Sequence, residues 1–314
     1  MGKFNVQISD STLHALVQRR GRQALEQAQE RTQFLIAPQT RGQAMAPYVR
    51  VGAQKPFSLI LMMDAWKARY RGENWGSDSK RKLEDHCQWK DIKSAVIYRL
   101  DHHVQKEGGR GLISQKNVVS YQGEPEEFGR QVHADALRRG LAQAQQVFVV
   151  ADGAIWIWNI AQDRFKQATF VLDYYHACQH LWAVADELFG QERRAEAKAW
   201  VDPLLKQTKA GQVVKVIGKL EELPGWCSKH GEAIPPKLAT ELEYFKTNQP
   251  RMNYKRVKQQ GAPIGSGAME SLCSQFQGRF KRTGQFWTSP GFDNLMALEV
   301  ARRNNDWNQI WTRN

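Results

Sequence analysis

Val147-Phe148-Val149-Val150-Ala151-Asp152 is an apolar run that ends on a carboxylate. Its length and β-branched content predict a strand buried on both faces. A second run of the same kind, Leu59-Ile60-Leu61-Met62-Met63, ends on Asp64. Residues 92–100 and 117–121 predict two further strands. Residues 124–145 predict an amphipathic helix, with Pro125 in its first turn and Phe128, Val132, Ala136, Leu137 and Leu141 as its buried stripe. Residues 167–172 predict a fifth strand. The order β-β-β-α-β-β is not that of a doubly wound sheet. It fits an α/β fold with a mixed five-stranded sheet, in which three strands form a meander. The fourth then returns beside the first and parallel to it through a right-handed crossover. Neighbouring strands lie ~4.8 Å apart. Carboxylates at the ends of two parallel neighbours can therefore share one site, at the edge where such sheets collect ligands.

The chain has 314 residues, enough for one large domain with an insertion or for two domains. Its apolar runs of five or six residues fall far short of the ~20 needed to span a bilayer. No charged and then apolar leader marks the amino terminus for secretion. The cysteines Cys87, Cys178, Cys227 and Cys273 are scattered without a C-x-x-C pair, which suits a reduced cytoplasmic protein. The net charge of +13 is uneven. Residues 251–314 carry ten Lys/Arg against four Asp/Glu, and residues 1–50 seven against three. Clustering of this kind suggests a polyanion partner, since each phosphate contact releases counterions. A cytoplasmic protein with a nucleic-acid partner is one expectation; a soluble protein with basic ends is the bland alternative, and charge alone does not separate the two.

Residues 10–36 read as a helix capped by Asp10 or Ser11. Residues 37–56, with Pro38, Gly42, Pro47, Gly52 and Pro56, read as an irregular linker, and 64–91 as a long connection. Helical patterns at 177–189, 192–206 and 233–246 are broken near Pro203, Gly211 and Pro224-Gly225. They predict an α-helical insertion before the last catalytic helix, which starts at Ser266 or Gly267. The expected division is 1–55 as an amino-terminal helical segment, 56–175 as the first part of the core, 176–250 as the insertion, and 251–314 as the second part.

Glu270 falls in the first turns of that last helix. Two aspartates gathered by a sheet, plus one glutamate from a late helix, suit two hard divalent cations. Phosphodiester cleavage by two Mg²⁺ ions needs carboxylates holding the ions ~3.5–4 Å apart. Mg²⁺ keeps several waters and takes few protein ligands. Asp64 is expected to bridge both ions, with Asp152 holding one and Glu270 the other. Taken singly, each has an ordinary explanation. An Asp after a strand commonly forms a turn or a cap, and a Glu in a first helical turn is favoured by the helix dipole. The joint arrangement is what points to catalysis. Asp173 and His176 lie at i, i+3 on a helix start, so His176 can contact the scissile phosphate; the ordinary alternative is a capping Asp with a hydrogen-bonded core His. His176 and His180 stand at a zinc-like spacing, but Cys178 points elsewhere on the helix and no zinc site is expected. Arg251, Lys255, Arg256 and Lys258 make the segment before the last helix basic. After it, Arg279, Lys281 and Arg282 with Phe286 and Trp287 suit a groove that tracks a nucleic-acid strand and stacks bases. The competing reading is a solvated cationic turn with two core aromatics.

The ordered set Leu61-Met62-Met63-Asp64-Ala65, Val150-Ala151-Asp152-Gly153-Ala154, Asp173-x-x-His176 and Ile264-Gly265-Ser266-Gly267-Ala268-Met269-Glu270 resembles bacterial insertion-sequence DDE transposases. The closer group carries a C/D-x-x-H motif and is related to the Mutator-like enzymes. Arg279-Phe280-Lys281 and the tail from Phe286-Trp287 to Trp307 and Trp311 extend the likeness. The resemblance implies an RNase H-like domain with a helical insertion and dependence on Mg²⁺ or Mn²⁺. It also implies a homodimer or larger assembly on transposon ends and target DNA, and 3′-end hydrolysis followed by strand transfer. Such enzymes commonly carry a larger amino-terminal portion. Residues 1–55 are thus expected to be a shortened DNA-binding region, or to read the ends together with the insertion. Two rival expectations remain: a catalytically silent DNA-binding remnant, and a host RNase H-fold nuclease.

Overall fold

The computed structural model describes residues 8–37, 55–76, 86–105 and 111–312. The predicted linker therefore lies mostly outside the described residues. Two compact units emerge, Met1–Gln145 with Ala268–Asn314, and Gln146–Gly267.

In the first unit, helix α1 (Asp10–Ile36) leads to strands β1 (Ser58–Arg71), β2 (Cys87–Arg99), β3 (His103–Gln105), β4 (Gly111–Ile113) and β5 (Asn117–Tyr121). Helix α2 (Pro125–Arg138) follows. The second unit holds β6 (Gln146–Ala151), α3 (Ile155–Arg164) and β7 (Thr169–Leu172). It continues with α4 (Tyr174–Phe189), α5 (Arg194–Lys209), α6 (Val213–His230), α7 (Leu238–Asn248) and α8 (Tyr254–Gln259). The chain ends with α9 (Gly267–Phe280), α10 (Ser289–Arg303) and α11 (Trp307–Thr312).

The five long strands form one sheet in the order β5-β2-β1-β6-β7. The β1–β2 and β2–β5 pairs are antiparallel and the β6–β7 pair is parallel. This is the meander-plus-crossover arrangement predicted from the sequence, compatible with an RNase H-like fold. Strand β1 is longer than predicted. Its first half is buried on both faces. From Asp64 onward burial alternates, with Trp66, Ala68 and Tyr70 inside and Lys67 and Arg71 outside. The charges hid a period of two, which still marks a strand with one wet face. Asp64 therefore sits in mid-strand, opposite Ser94, rather than at a strand end.

Three helices differ from expectation for identifiable reasons. Pro203 lies inside α5, where the helical pattern was expected to break, because Ala197, Val201, Leu204 and Thr208 form one buried face along the whole helix. Pro224 lies inside α6, where it was expected to end a helix, because Val216, Leu220, Leu223 and Cys227 carry a buried stripe past it. Packing here outweighs the ~3 kcal/mol cost of an interior proline. Residues 254–259, read as linker, form the short α8.

Helix α1 is capped by Ser9, whose side chain accepts from the Thr12 amide, and it packs on α10. The helices cross so closely that a Cβ on Gly21 would lie 2.5 Å from the Asn294 carbonyl oxygen. On the far side of α10, the side chain of Glu299 is 1% exposed and receives Arg302, Arg303 and Arg279. Burial opposes its charge, but the three guanidiniums outweigh burial and hold the carboxyl below the usual glutamate range. Its stabilisation is present above the unfolded-state value and is lost as pH falls through the depressed folded one. Glu299→Gln is accordingly expected to cost about 2–4 kcal/mol at neutral pH and progressively less as the medium turns acidic. Urea unfolding at several pH values measures this; a cost independent of pH overturns the assignment.

Candidate active site

Two of the three predicted acids, Asp64 on β1 and Glu270 on α9, lie in the first unit. Asp64 Oδ1 accepts from the Ala65 amide at 2.6 Å. Its Oδ2 accepts from the thiol of Cys273, 3.7 Å away and 209 residues distant in sequence. Cys273 lies on α9, one turn beyond the exposed Glu270. Burial first, then the charge and hydrogen bond of Asp64, then the charge of Glu270, push that thiol far above its usual range. One buried thiol thus senses both carboxylates. The even-numbered face of β1 drives the Asp64–Cys273 contact, because Trp66 stacks on Phe276, with ring centroids 5.8 Å apart, and seats α9.

In the second unit, Asp152 directly follows β6, as predicted. Its Oδ1 accepts from the Ala154 amide at 3.1 Å and its backbone carbonyl from the Tyr244 hydroxyl at 3.1 Å. Gly153 adopts φ +107, a conformation that favours glycine, and a Cβ there would press on the Tyr244 ring at 3.2 Å. Tyr244 stacks on His180 at 3.6 Å, and His180 Nδ1 pairs with Glu241 at 2.5 Å. Burial, followed by the charges of Asp152, Asp173 and Glu241, raises the Tyr244 hydroxyl far above its usual range. His176 is half-buried in the first turn of α4, its ring 5.3 Å from that of His180. Tyr244, Glu241 and Cys273 were not foreseen. Nothing local to their helices marks them.

Asp173 serves as a clasp. Its buried carboxylate accepts from the amides of Tyr175 (2.7 Å) and His176 (3.1 Å) through Oδ1. Through Oδ2 it accepts from the Ser266 amide at 2.6 Å and from the Ser266 hydroxyl. The capping alternative is the one this geometry favours, because four donors occupy the oxygens. The Ile264-Gly265-Ser266 stretch that leads to Glu270 is thereby tied to the start of α4, with Ile264 also accepting from the Tyr174 amide. Asp173→Ala is expected to destabilise the second unit by on the order of 3 kcal/mol, since buried donors lose a charged acceptor. Hydrogen exchange at Tyr175, His176 and Ser266 measures it; unchanged protection there counts against the clasp.

The basic candidates divide. Arg251 lies over the Trp158 ring at 4.6 Å and donates to Asn248 at 2.9 Å, which ties it into the second unit. Lys255, Arg256 and Lys258 are exposed on α8. Arg279 pairs with Glu299, Lys281 lies over Trp89 at 4.9 Å, and Arg282 is exposed. Trp287 packs on Phe280 and Phe292 and donates to the Phe280 carbonyl, so it belongs to the core. Phe286 instead lies against Trp75 and under Arg69. Among the described residues, no group of three or more His, Cys, Asp or Glu side chains is arranged to hold a metal ion. No described helix is long and apolar enough to cross a membrane.

The fold is of the α/β class, with a mixed five-stranded sheet flanked by helices. The chain belongs to the uncharacterised protein family UPF0236, which matches residues 100–311. No curated protein matches it. Among solved structures, the chain is similar to the Drosophila P element transposase strand transfer complex at 12% identity and a TM-score of 0.26, covering 98% of this chain and 80% of that one. A likeness of that size carries no argument about mechanism.

Proposed function

We propose that the chain is a DDE-type DNA transposase, which cleaves at the 3′ ends of an insertion sequence and joins the freed 3′-hydroxyls to target DNA. The observation that supports it most is the hydrogen bond from the Cys273 thiol to Asp64, which ties mid-strand β1 to the helix that carries Glu270 one turn earlier. Asp152, at the end of a strand in the same sheet, is the third acid of the reading. All three offer hard carboxylate oxygens, the donor type that magnesium or manganese prefers. Asp64, Asp152 and Glu270 would hold two such ions. When bound, these supply an activated oxygen nucleophile and charge stabilisation at the phosphate. The chain's own part is to present the carboxylates from rigid elements. His176, half-buried at the start of α4, would be the donor to the phosphate in this reading, apart from the capping role of Asp173. The partners in this reading are double-stranded DNA at the transposon ends and target, and further copies of the chain.

The test is nicking and joining by the purified full chain on duplexes carrying the ends of its own element, with Mg²⁺ or with EDTA. Mg²⁺-dependent 3′ nicks followed by joined products are expected. Full activity in Asp152→Asn would overturn the site. Cleavage of RNA–DNA hybrids without joining would instead indicate a host nuclease, and DNA binding with no cleavage a silent remnant.

A further inference from the structure

The outer ends of β1 and β2 carry a surface that catalysis does not use. Across the β1–β2 register Arg69 faces Trp89, and both lie on the wet face of the pair. The Arg69 guanidinium lies 4.9 Å from the Phe286 ring and 5.8 Å from that of Trp89. Lys281 covers Trp89 at 4.9 Å, and Arg71 covers Trp75 at 5.5 Å. Trp75 and Phe286 pack at 4.6 Å. Trp89 is 50% exposed and Trp75 40%.

This surface is held in shape before any ligand arrives. The Arg71 amide donates to the Trp287 carbonyl at 2.8 Å, and the Trp287 amide to the Arg69 carbonyl at 3.0 Å. Arg69 also donates to the Arg282 carbonyl at 2.5 Å. The loop after α9 is thereby stitched to β1, so binding loses little ordering entropy.

We propose that Trp89 and Trp75, with Arg69, Arg71 and Lys281, form a platform for single-stranded DNA. The rings stack unpaired bases and the cations follow the phosphates. Exposed aromatics stack bases regardless of sequence, while interleaved cations supply the salt-dependent share of affinity. Duplex DNA hides its base faces and gains only from the cations. The platform lies ~17 Å from Asp64 along β1 at the strand rise. It lies ~16 Å from Glu270 along α9 at the helical rise. A strand frayed next to a cut phosphate at those acids reaches it within a few nucleotides. That route rests on the transposase reading; the binding itself does not.

The test is fluorescence anisotropy of a labelled short oligothymidylate, and of a duplex of matched length, titrated with the full chain in EDTA. Trp89→Leu is expected to weaken single-strand binding roughly five- to hundredfold and to leave duplex binding within about twofold. Trp89→Phe, which keeps a ring, should retain most of the affinity. Lys281→Gln should weaken both ligands and reduce the salt slope by about one. Equal losses for strand and duplex in Trp89→Leu, or no loss at all, would overturn the platform. So would a Phe variant no better than the Leu variant. Because no metal is present, these outcomes are separate from cleavage. An inactive Asp152→Asn protein with a failed platform leaves the transposase reading standing, and an active one with an intact platform does the reverse.

Discussion

Asp64→Asn is expected to lower the rate of Mg²⁺-dependent nicking by at least about 10³-fold, some 4 kcal/mol of transition-state stabilisation. Asn is close in size to Asp. It keeps an oxygen for the Ala65 amide and turns an NH2 donor toward the Cys273 sulfur in place of an acceptor, so strand β1 and helix α9 keep their contact. What disappears is one negative charge, the property on which cation binding depends. The melting temperature should stay within a few degrees of wild type, and a rate loss without a stability loss separates chemistry from folding. Glu270→Gln makes an independent comparison, because Glu270 is exposed in the first turn of α9 and its side chain supports no packing. Single-turnover nicking followed on denaturing gels provides the measurement. If both variants nick at the wild-type rate, the two acids are neighbours for structural reasons alone.

The second large effect concerns stability. Asp306→Ala is expected to destabilise the first unit by roughly 3–5 kcal/mol, because a buried guanidinium loses half its counter-charge. Arg138 is almost wholly buried and donates to both oxygens of Asp306, at 3.0 and 3.1 Å, and to Asp135 at 2.8 Å. Arg31 of α1 adds a second cation at 3.6 Å from Asp306. Burial works against the charge on Arg138, but Asp135 and then Asp306 outweigh it, and its pKa is raised. The adjacent Asn304 pairs its side-chain amide with both backbone groups of Val118, at 2.7 and 2.8 Å, in the manner of an added strand. The stretch after α10 thus fastens α1, α2 and β5 together. A fall in melting temperature on the order of 10 °C is the expected readout for a unit of this size. A fall of only a degree or two would show that Arg138 finds enough compensation in Asp135.

Much of this was legible from local pattern. The run 147–151 predicted β6, the pattern at 10–36 predicted α1, and residues 117–121 predicted β5 to the residue. Their signals repeat every two or every 3.6 residues and need no knowledge of distant partners. The strand order followed from the β-β-β-α-β-β sequence and the handedness of crossovers. The misreadings share one cause. Pro203 and Pro224 carry a local preference that burial of a whole helix face overrode. The charged residues of β1 masked an alternation that only its pairing with β2 makes plain.

By itself, the amino-acid order marked the five strands of the main sheet and their order in it, and that Asp152 follows a strand while Glu270 opens a helix. Tertiary structure alone decided that Asp64 stands in mid-strand beneath Cys273. It alone made Asp173 a saturated clasp on Ser266, and it set Tyr244 and Glu241 around His180. Secondary structure answers to neighbours within a turn or a pleat. A carboxylate's role answers to whatever donor the fold brings within about 3 Å of it, and such donors lie anywhere along the chain.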